Sequence, residues 1–554
     1  MKNKETDPLC PMGISPSMGR AMRDGESASS VTPSPHRGGE MGLGEERVCS
    51  VIEIMDTTLR DGEQTNGVSF VPHEKLLVAR MLLQEVNVDR IEVASARVSE
   101  GEKEAVKNIC RWARQAGKID RVEVLGFVDG KTSLDWIADC GCQNINLLCK
   151  GSEKHCKYQL KKTLAEHVDD IKKSLAYAAQ LGINVNVYLE DWSNGMKDSP
   201  EYVFDFVDAL RDSSIKRFML PDTLGILNPM QTADFMRQMT SRYPELRFDF
   251  HAHNDYDLAT ANVLAAVSAG CSGVHTAVNG LGERAGNAPL SSVQAILKDH
   301  FHATTNINEE KLGSVSSMVE SLAGIAIPPN KPIIGESVFT QVAGVHADGD
   351  NKNNLYCNDL LPERFGRKRE YALGKNSGKA NILKNLEELG LELTPEQTRR
   401  VTDRIIELGD KKQLVTQEDL PYIVADVLKH SAPDDKVKLL SYMVSTAYGL
   451  KPMASVKLQV EDQIYEESAM GDGMYDAFVR AVRHIYKRTL GREFPWLTNY
   501  VVSIPPGGRT DALVQTSISW TYRDKAYRTR ALDADQTEAA IKATIKMLNL
   551  IENE

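Results

Sequence analysis

Residues 163–190 read TLAEHVDDIKKSLAYAAQLGINVNVYLE, and this stretch decides the fold. Thr163 followed by Glu166 is a capping box, Val168, Ile171, Leu175 and Ala178 form an apolar stripe at helical spacing, and Gly182 supplies the stop. A β-rich run, Asn184–Glu190, follows at once. Working outward, seven more such runs alternate with helical segments: Val51–Asp56, Arg90–Ser95, Val122–Val128, Asn144–Cys149, Phe218–Asp222, Phe248–His253 and Gly273–Val278. Several are almost wholly apolar, as strands buried on both faces of a parallel sheet should be. Pro72 suits a first helical position, and Leu76, Ala79, Leu83 and Val86 follow at 3- and 4-residue steps. The alternation predicts an α/β chain with a closed (β/α)8 TIM barrel. The competing open, doubly wound sheet lacks its G-x-G-x-x-G after the first strand.

Past the barrel, Leu312–Leu428 reads mostly helical, interrupted by a polar loop at Ala347–Arg369. Beyond His430 the pattern changes to an α+β texture, with strands at Ser455–Val460 and Ala512–Trp520 and helices at Tyr475–Tyr486 and Thr537–Leu550. The expected organisation is a disordered extension over 1–50, a catalytic barrel over 51–311, helical subdomains over 312–430 and a separate domain over 431–554, with Ser431–Lys436 as the linker. Met1–Ser50 has no apolar core of a signal peptide, and Met41 is an alternative start.

The 554 residues carry Lys+Arg 66 against Asp+Glu 77, a formal charge of −11, which argues against nucleic acid or an anionic lipid surface as the main partner. No apolar run reaches the ~20 residues of a membrane span. The 9 cysteines are odd in number and irregularly spaced, which fits reduced thiols and a cytoplasmic location better than a disulfide framework.

In a barrel the chemistry collects where strands end. Here those ends are polar: Asp56-Thr-Thr-Leu-Arg-Asp-Gly-Glu-Gln64, Tyr188-Leu-Glu-Asp191, Pro221-Asp-Thr223, Phe250-His-Ala-His-Asn-Asp255 and Asn279–Asn287. His251 and His253, two residues apart on one strand, point to the same side and can share one divalent cation. Asp61 adds a carboxylate from the first strand's end, and Asn287 an amide oxygen. Mixed N/O ligation suits Mn²⁺, Mg²⁺, Zn²⁺ or Co²⁺ without choosing among them. Arg60, beside Asp61, suits an oxyanion or a developing enolate; otherwise it is a salt-bridge partner. Glu190 is either a paired structural acid or a ligand-orienting, proton-relaying carboxylate.

The segments Asp56–Gln64, His251-Ala-His-Asn254 and Gly282-Glu-Arg-Ala-Gly-Asn287 together resemble the DRE-TIM metallolyase superfamily, in particular the Claisen-condensing 2-isopropylmalate, homocitrate and citramalate synthases. The resemblance runs from about Val51 to the C-terminus. It is greatest to the (R)-citramalate synthases of the spirochaete type, over Val88–Val98, Val187–Asn194, Phe339–Gly349, Leu360–Lys375 and Pro505–Leu513. It implies condensation of acetyl-CoA with pyruvate and hydrolysis to (R)-citramalate and CoA, the opening of a pyruvate route to isoleucine. It also implies Asp61, His251, His253 and Asn287 as metal ligands, and Arg60, Glu190 and Thr223 around the 2-oxo acid. His346 and Tyr356 match a histidine and a tyrosine that the family recruits from beyond the barrel. The base that deprotonates the acetyl methyl is left open among His346 with Tyr356, Glu190 and a bound water.

By the same resemblance Leu125, Phe127, Leu148 and Tyr188 line the cavity for pyruvate's methyl; from pattern alone they are barrel packing. The 2-isopropylmalate synthases typically carry histidine at the position of Leu125. The C-terminal region resembles the family's allosteric module, through Gly471–Asp476 and Pro505–Gly508. That implies a homodimer inhibited by isoleucine or leucine, with Asp472, Tyr475 and Pro505 at the regulatory site. Leu440–Lys451 departs from the family pattern. The alternatives are a 2-isopropylmalate synthase acting on 2-oxoisovalerate and, from another class, a non-catalytic amino-acid-binding regulatory protein, which predicts disrupted ligands.

Overall fold

The computed structural model describes residues 51–350, 355–410, 415, 417–428, 436–503, 514–523 and 525–553. The extension expected over 1–50 and the expected regulatory residue Pro505, with its surrounding loop, lie outside these.

Eight parallel strands close into a barrel in chain order: β1 (Glu53–Asp56), β2 (Arg90–Ser95), β3 (Val122–Phe127), β4 (Asn144–Lys150), β5 (Asn184–Glu190), β6 (Ile215–Asp222), β7 (Phe248–Ala252) and β8 (Gly273–Thr276). Closure is by β8 against β1, with Glu53 opposite Gly273 and Asp56 opposite Thr276. The helix Leu164–Leu181 has the expected form. Thr163 and Glu166 cap each other, and Gly182 ends it with φ 69°, a left-handed conformation that suits glycine. The helix at Pro72 runs to Arg80 and continues to Val86 as a wider π turn.

Outward-facing strand residues such as Ile91, Val93, Val124, Ile145, Val187 and Phe250 pack under the helices in one continuous core. The interior row differs from the branched aliphatic filling usual for this barrel. It holds Arg90, Glu92, Glu123, Asn146, Asn186, Arg217, Asp249 and His275, all buried. Amid them lies a small apolar cluster of Met55, Leu125, Tyr188 and Met219, with Leu148 against it. Charged groups survive there because they are paired: Arg90 bridges Glu123 and Asp249, and Arg217 bridges Glu53 and Asp249.

Beyond the barrel, helix Leu312–Ala323 packs on the barrel core, and Lys379–Glu388, Pro395–Asp410 and Leu420–Leu428 surround a second core built on Ile382, Leu386, Val401, Ile405 and Leu420. The stretch read as a polar loop, Ala347–Arg369, begins inside a helix, Gly344–Asp350, and includes a helical turn at Pro362–Phe365. That turn is pinned because Phe365 stacks on Phe339 with ring centres 5.9 Å apart, while Arg364 reaches Asp299 and Glu309 at 2.8 Å each.

The C-terminal region has two three-stranded antiparallel sheets, Val437–Ser445, Met453–Val460 and Gln463–Met470 in one, Trp496–Ser503, Val514–Tyr522 and Lys525–Asp533 in the other. The helices Met474–His484 and Gln536–Glu552 pack against them around Phe478, Val482, Trp520, Met547 and Leu548. Two of these six strands were legible in sequence. The others carry charges such as Glu466, Glu467, Arg528 and Arg530, because only one face of each sheet is covered. No helix among the described residues is long and apolar enough to cross a membrane. The seven cysteines described, six of them buried, are all free thiols.

Candidate metal centre at the barrel mouth

The loop leaving β1 folds back on itself. The Thr57 carbonyl accepts from Arg60 and Gly62 at 3.1 and 3.0 Å, and buried Lys75 holds the Leu59 carbonyl at 3.0 Å. This sets Asp61 at the top of the barrel axis, facing the end of β7. His251 lies on β7, and His253 lies one residue past it in a bridge to Asn287. The Nε2 atoms of the two imidazoles are 3.3 Å apart, and they lie 3.7 and 3.9 Å from Asp61 Oδ2. All three side chains are buried, and they are the one cluster of three or more such ligand groups among the described residues.

These separations are near the ~3.0–3.4 Å between neighbouring ligand atoms around a small dication with bonds of about 2.1 Å. Burial lowers the affinity of both imidazoles for protons, His251 most of all, where the neighbouring His253 adds to the effect. Burial alone would raise the Asp61 carboxyl, but the Arg60 guanidinium, with the Asn287 hydrogen bond, holds it well below its ordinary range. The donor set is therefore one carboxylate and two neutral imidazoles, the protonation states a metal requires. The Nδ1 atoms of both rings and the Oδ1 of Asn287 are buried without a hydrogen-bond partner among the described residues. The residues present fit a divalent cation.

Asn287 reaches this cluster by a different contact from the one expected. Its Nδ2 donates to Asp61 Oδ2 and, at 2.9 Å, to the Leu281 carbonyl, because a carboxylate can only accept. The glycine-rich loop serves this placement: a Cβ at Gly282 would come within 2.2 Å of that amide nitrogen.

Arg60 is buried beside the cluster. Its Nη1 donates to Asp61 Oδ1 at 2.8 Å, its Nε to Glu92 Oε2 at 2.6 Å and its Nη2 to the Tyr188 hydroxyl at 3.4 Å. Glu92 also takes Thr57 Oγ1 and Asn146 Nδ2, both at 2.8 Å, and so fixes the guanidinium from below. Glu92 was missed in sequence. The available signal was a charged pair, Arg90 and Glu92, at alternate positions of an otherwise apolar strand.

Leu125, Leu148 and Tyr188 come together with Met55 and Met219 just under the cluster, whereas Phe127 stands 37% exposed at the rim and outside that group. Glu190 is paired with Lys150. The Thr223 hydroxyl accepts from the Asp191 N–H at 2.9 Å. His346 and Tyr356 pack on each other, ring centres 4.4 Å apart. In the C-terminal region Asp472 is exposed and paired with Lys451 and Arg480, and Tyr475 bonds Thr544.

Residues 51–319 match the HMGL-like family, residues 333–413 the homocitrate synthase post-HMGL domain-like family and residues 414–552 the LeuA allosteric (dimerisation) domain. The chain is 34% identical over 506 residues to the (R)-citramalate synthase of Methanocaldococcus jannaschii, covering 91% of this chain and 100% of that protein. It is 35% identical over 506 residues to the 2-isopropylmalate synthase of the same organism, covering 90% and 94%. Among solved structures, HMG-CoA lyase from Bacillus subtilis matches at 21% identity and a TM-score of 0.44, covering 50% of this chain and 96% of that one.

Proposed function

The chain belongs to the family of (R)-citramalate and 2-isopropylmalate synthases, and from that premise we propose that it condenses acetyl-CoA with pyruvate and hydrolyses the product to (R)-citramalate and CoA. The observation that carries the reaction class is the convergence of Asp61, His251 and His253 within bonding range of one cation, with Arg60 against them. The observation that favours pyruvate is the small cluster under those ligands, Met55, Leu125, Met219 and the Tyr188 ring with Leu148 against it, which suits a methyl and contains no cationic side chain for a second carboxylate.

Asp61, His251 and His253 would hold the dication, with Asn287 locking Asp61 in place. When bound, that ion supplies a Lewis acid for the 2-oxo acid's keto oxygen and carboxylate. Arg60 is placed to stabilise the enolate charge that develops once the acetyl methyl loses its proton. Its guanidinium cannot drift, because Glu92 and Asp61 grip it from two sides. The methyl of the oxo acid would rest on Leu125 and the Tyr188 ring. For the proton transfer, His346 with Tyr356, and Glu190, are the candidate groups, the former carried by the subdomain after the barrel. The match to a LeuA dimerisation domain supports a homodimer under allosteric control, and an end-product amino acid such as isoleucine or leucine is the effector in this reading.

The second reading, a 2-isopropylmalate synthase, is favoured by the equal similarity to a relative of that name. Purified protein given acetyl-CoA and a divalent cation, with CoA thiol release followed for each oxo acid, separates the two. A higher kcat/KM for pyruvate supports the first; a higher value for 2-oxoisovalerate replaces it with the second; no thiol release with either defeats both.

A further inference from the structure

One buried histidine below the metal cluster has no part in the chemistry so far. His275 lies on β8, opposite Met55 of β1, inside the barrel. Its Nδ1 is 3.0 Å from the Tyr188 hydroxyl and its Nε2 is 3.4 Å from Asp249 Oδ2. The same hydroxyl accepts from Arg60 Nη2 at 3.4 Å. Asp249 is also gripped by Arg90 and Arg217. A chain of contacts thus runs from the arginine beside the metal ligands, through the wall of the oxo-acid cavity, to the buried ion pairs of the barrel floor.

A count of protons orders this chain. Asp249, ionised between two guanidiniums, can only accept, so Nε2 of His275 donates to it. A neutral imidazole protonated at Nε2 presents a lone pair at Nδ1. Tyr188 has one proton, and its oxygen already accepts from Arg60, so the proton goes to Nδ1. Were Nδ1 also protonated, it and Arg60 Nη2 would both turn donors on the phenol oxygen, and the Tyr188 proton would lose this acceptor.

We propose that His275 is a positioning residue for oxo-acid selection: it draws the Tyr188 proton away from the substrate cavity, so that wall offers no hydrogen-bond donor to a second carboxylate. The inference rests on the oxo-acid reading above and adds to it the group that excludes dicarboxylic oxo acids.

The test compares pyruvate with oxaloacetate in the wild type, His275→Leu, His275→Asn, Tyr188→Phe and the Tyr188→Phe/His275→Leu double variant. In His275→Leu the freed phenol proton should narrow the pyruvate preference ~10-fold, chiefly through KM. His275→Asn, whose amide oxygen stands where Nδ1 does, should restore it. In the Tyr188→Phe background, His275→Leu should not narrow the preference further. Equal narrowing with or without the phenol would overturn the proposal, as would failure of His275→Asn to rescue. Thermal unfolding supplies a readout that needs no turnover. If the contact exists, the Tm losses of His275→Leu and Tyr188→Phe are non-additive by ~2 °C or more; additive losses defeat the proposal even in an active enzyme. Calorimetric binding of the two acids repeats the comparison without catalysis, so failure of the condensation reading and failure of this one are told apart.

Discussion

His251 and His253 point their Nε2 atoms at each other across 3.3 Å, buried, with the Asp61 carboxylate 3.7 and 3.9 Å from them. With no metal one ring's Nε2–H can donate to the other's lone pair, but with both protons on Nδ1 the two lone pairs turn inward on the same point beside Asp61 Oδ2. A dication is the electrophile that suits two such lone pairs, and Asp61 supplies the opposite charge.

Removal of divalent cations by a chelator should therefore abolish thiol release, and Mn²⁺ or Mg²⁺ should restore it. Asp61→Ala should lower turnover by at least ~10²-fold and bind added cation more weakly by calorimetry. The fold should persist, since the barrel core does not rest on this side chain. Turnover unchanged by both treatments would remove the metal from the mechanism.

Asp56, at the end of β1, is buried, and burial raises its carboxyl from 3.8 to about 6 despite hydrogen bonds from Thr58 and Thr276. The folded state thus prefers the protonated acid. Its stabilising contribution is complete below the unfolded value and is lost as pH rises through the folded one, a loss of about 3 kcal/mol. Asp56→Asn cannot ionise. Urea unfolding at about pH 4.5 and about pH 7.5 should show the variant gaining about 2 kcal/mol on the wild type at the higher pH, since about a third of the effect is already lost at pH 4.5. A pH-independent difference would contradict the assignment.

Leu125 touches the group that receives the oxo-acid side chain. Leu125→Ala should shift the kcat/KM ratio toward 2-oxoisovalerate and away from pyruvate by ~10-fold, with cation affinity nearly unchanged. If the ratio stays constant while activity falls, this wall does not select the substrate.

Lys75 is completely buried, with Glu63 and Glu102 on its ammonium and the Leu59 and Val93 carbonyls around it. Lys75→Met leaves two largely shielded carboxylates without their cation and frees the loop that carries Arg60 and Asp61. A loss of about 3 kcal/mol in denaturant unfolding is expected. Restoration of most of that loss by the triple variant with Glu63→Gln and Glu102→Gln would assign it to the unpaired charges.

Much of the barrel was legible because its signals are local. Arg90–Ser95 and Asn184–Glu190 are strands at the expected residues, and the cap at Thr163 and the stop at Gly182 stand where the pattern put them. The C-terminal strands Gln463–Met470 and Lys525–Asp533 were not legible, because an edge strand with one solvated face carries too many charges to show a period. In the site, the i, i+2 spacing of His251 and His253 was sufficient to orient two side chains together. It could not show that Phe127 stands at the rim while Leu125 is buried, nor that Asn287 turns its amide nitrogen to Asp61.

Sequence by itself determined the order of the barrel's strands and helices, the cap and stop of some of them, and which short stretches carry ligand-type residues, since each depends on neighbours a few positions apart. Tertiary structure alone decided which of those residues meet. Asp61 reaches His251 because β8 closes on β1 with Asp56 opposite Thr276, and Tyr188 reaches His275 and Arg60 because the strands align at one particular register. Contacts between residues so far apart in the chain depend on closure and register, which no local period encodes.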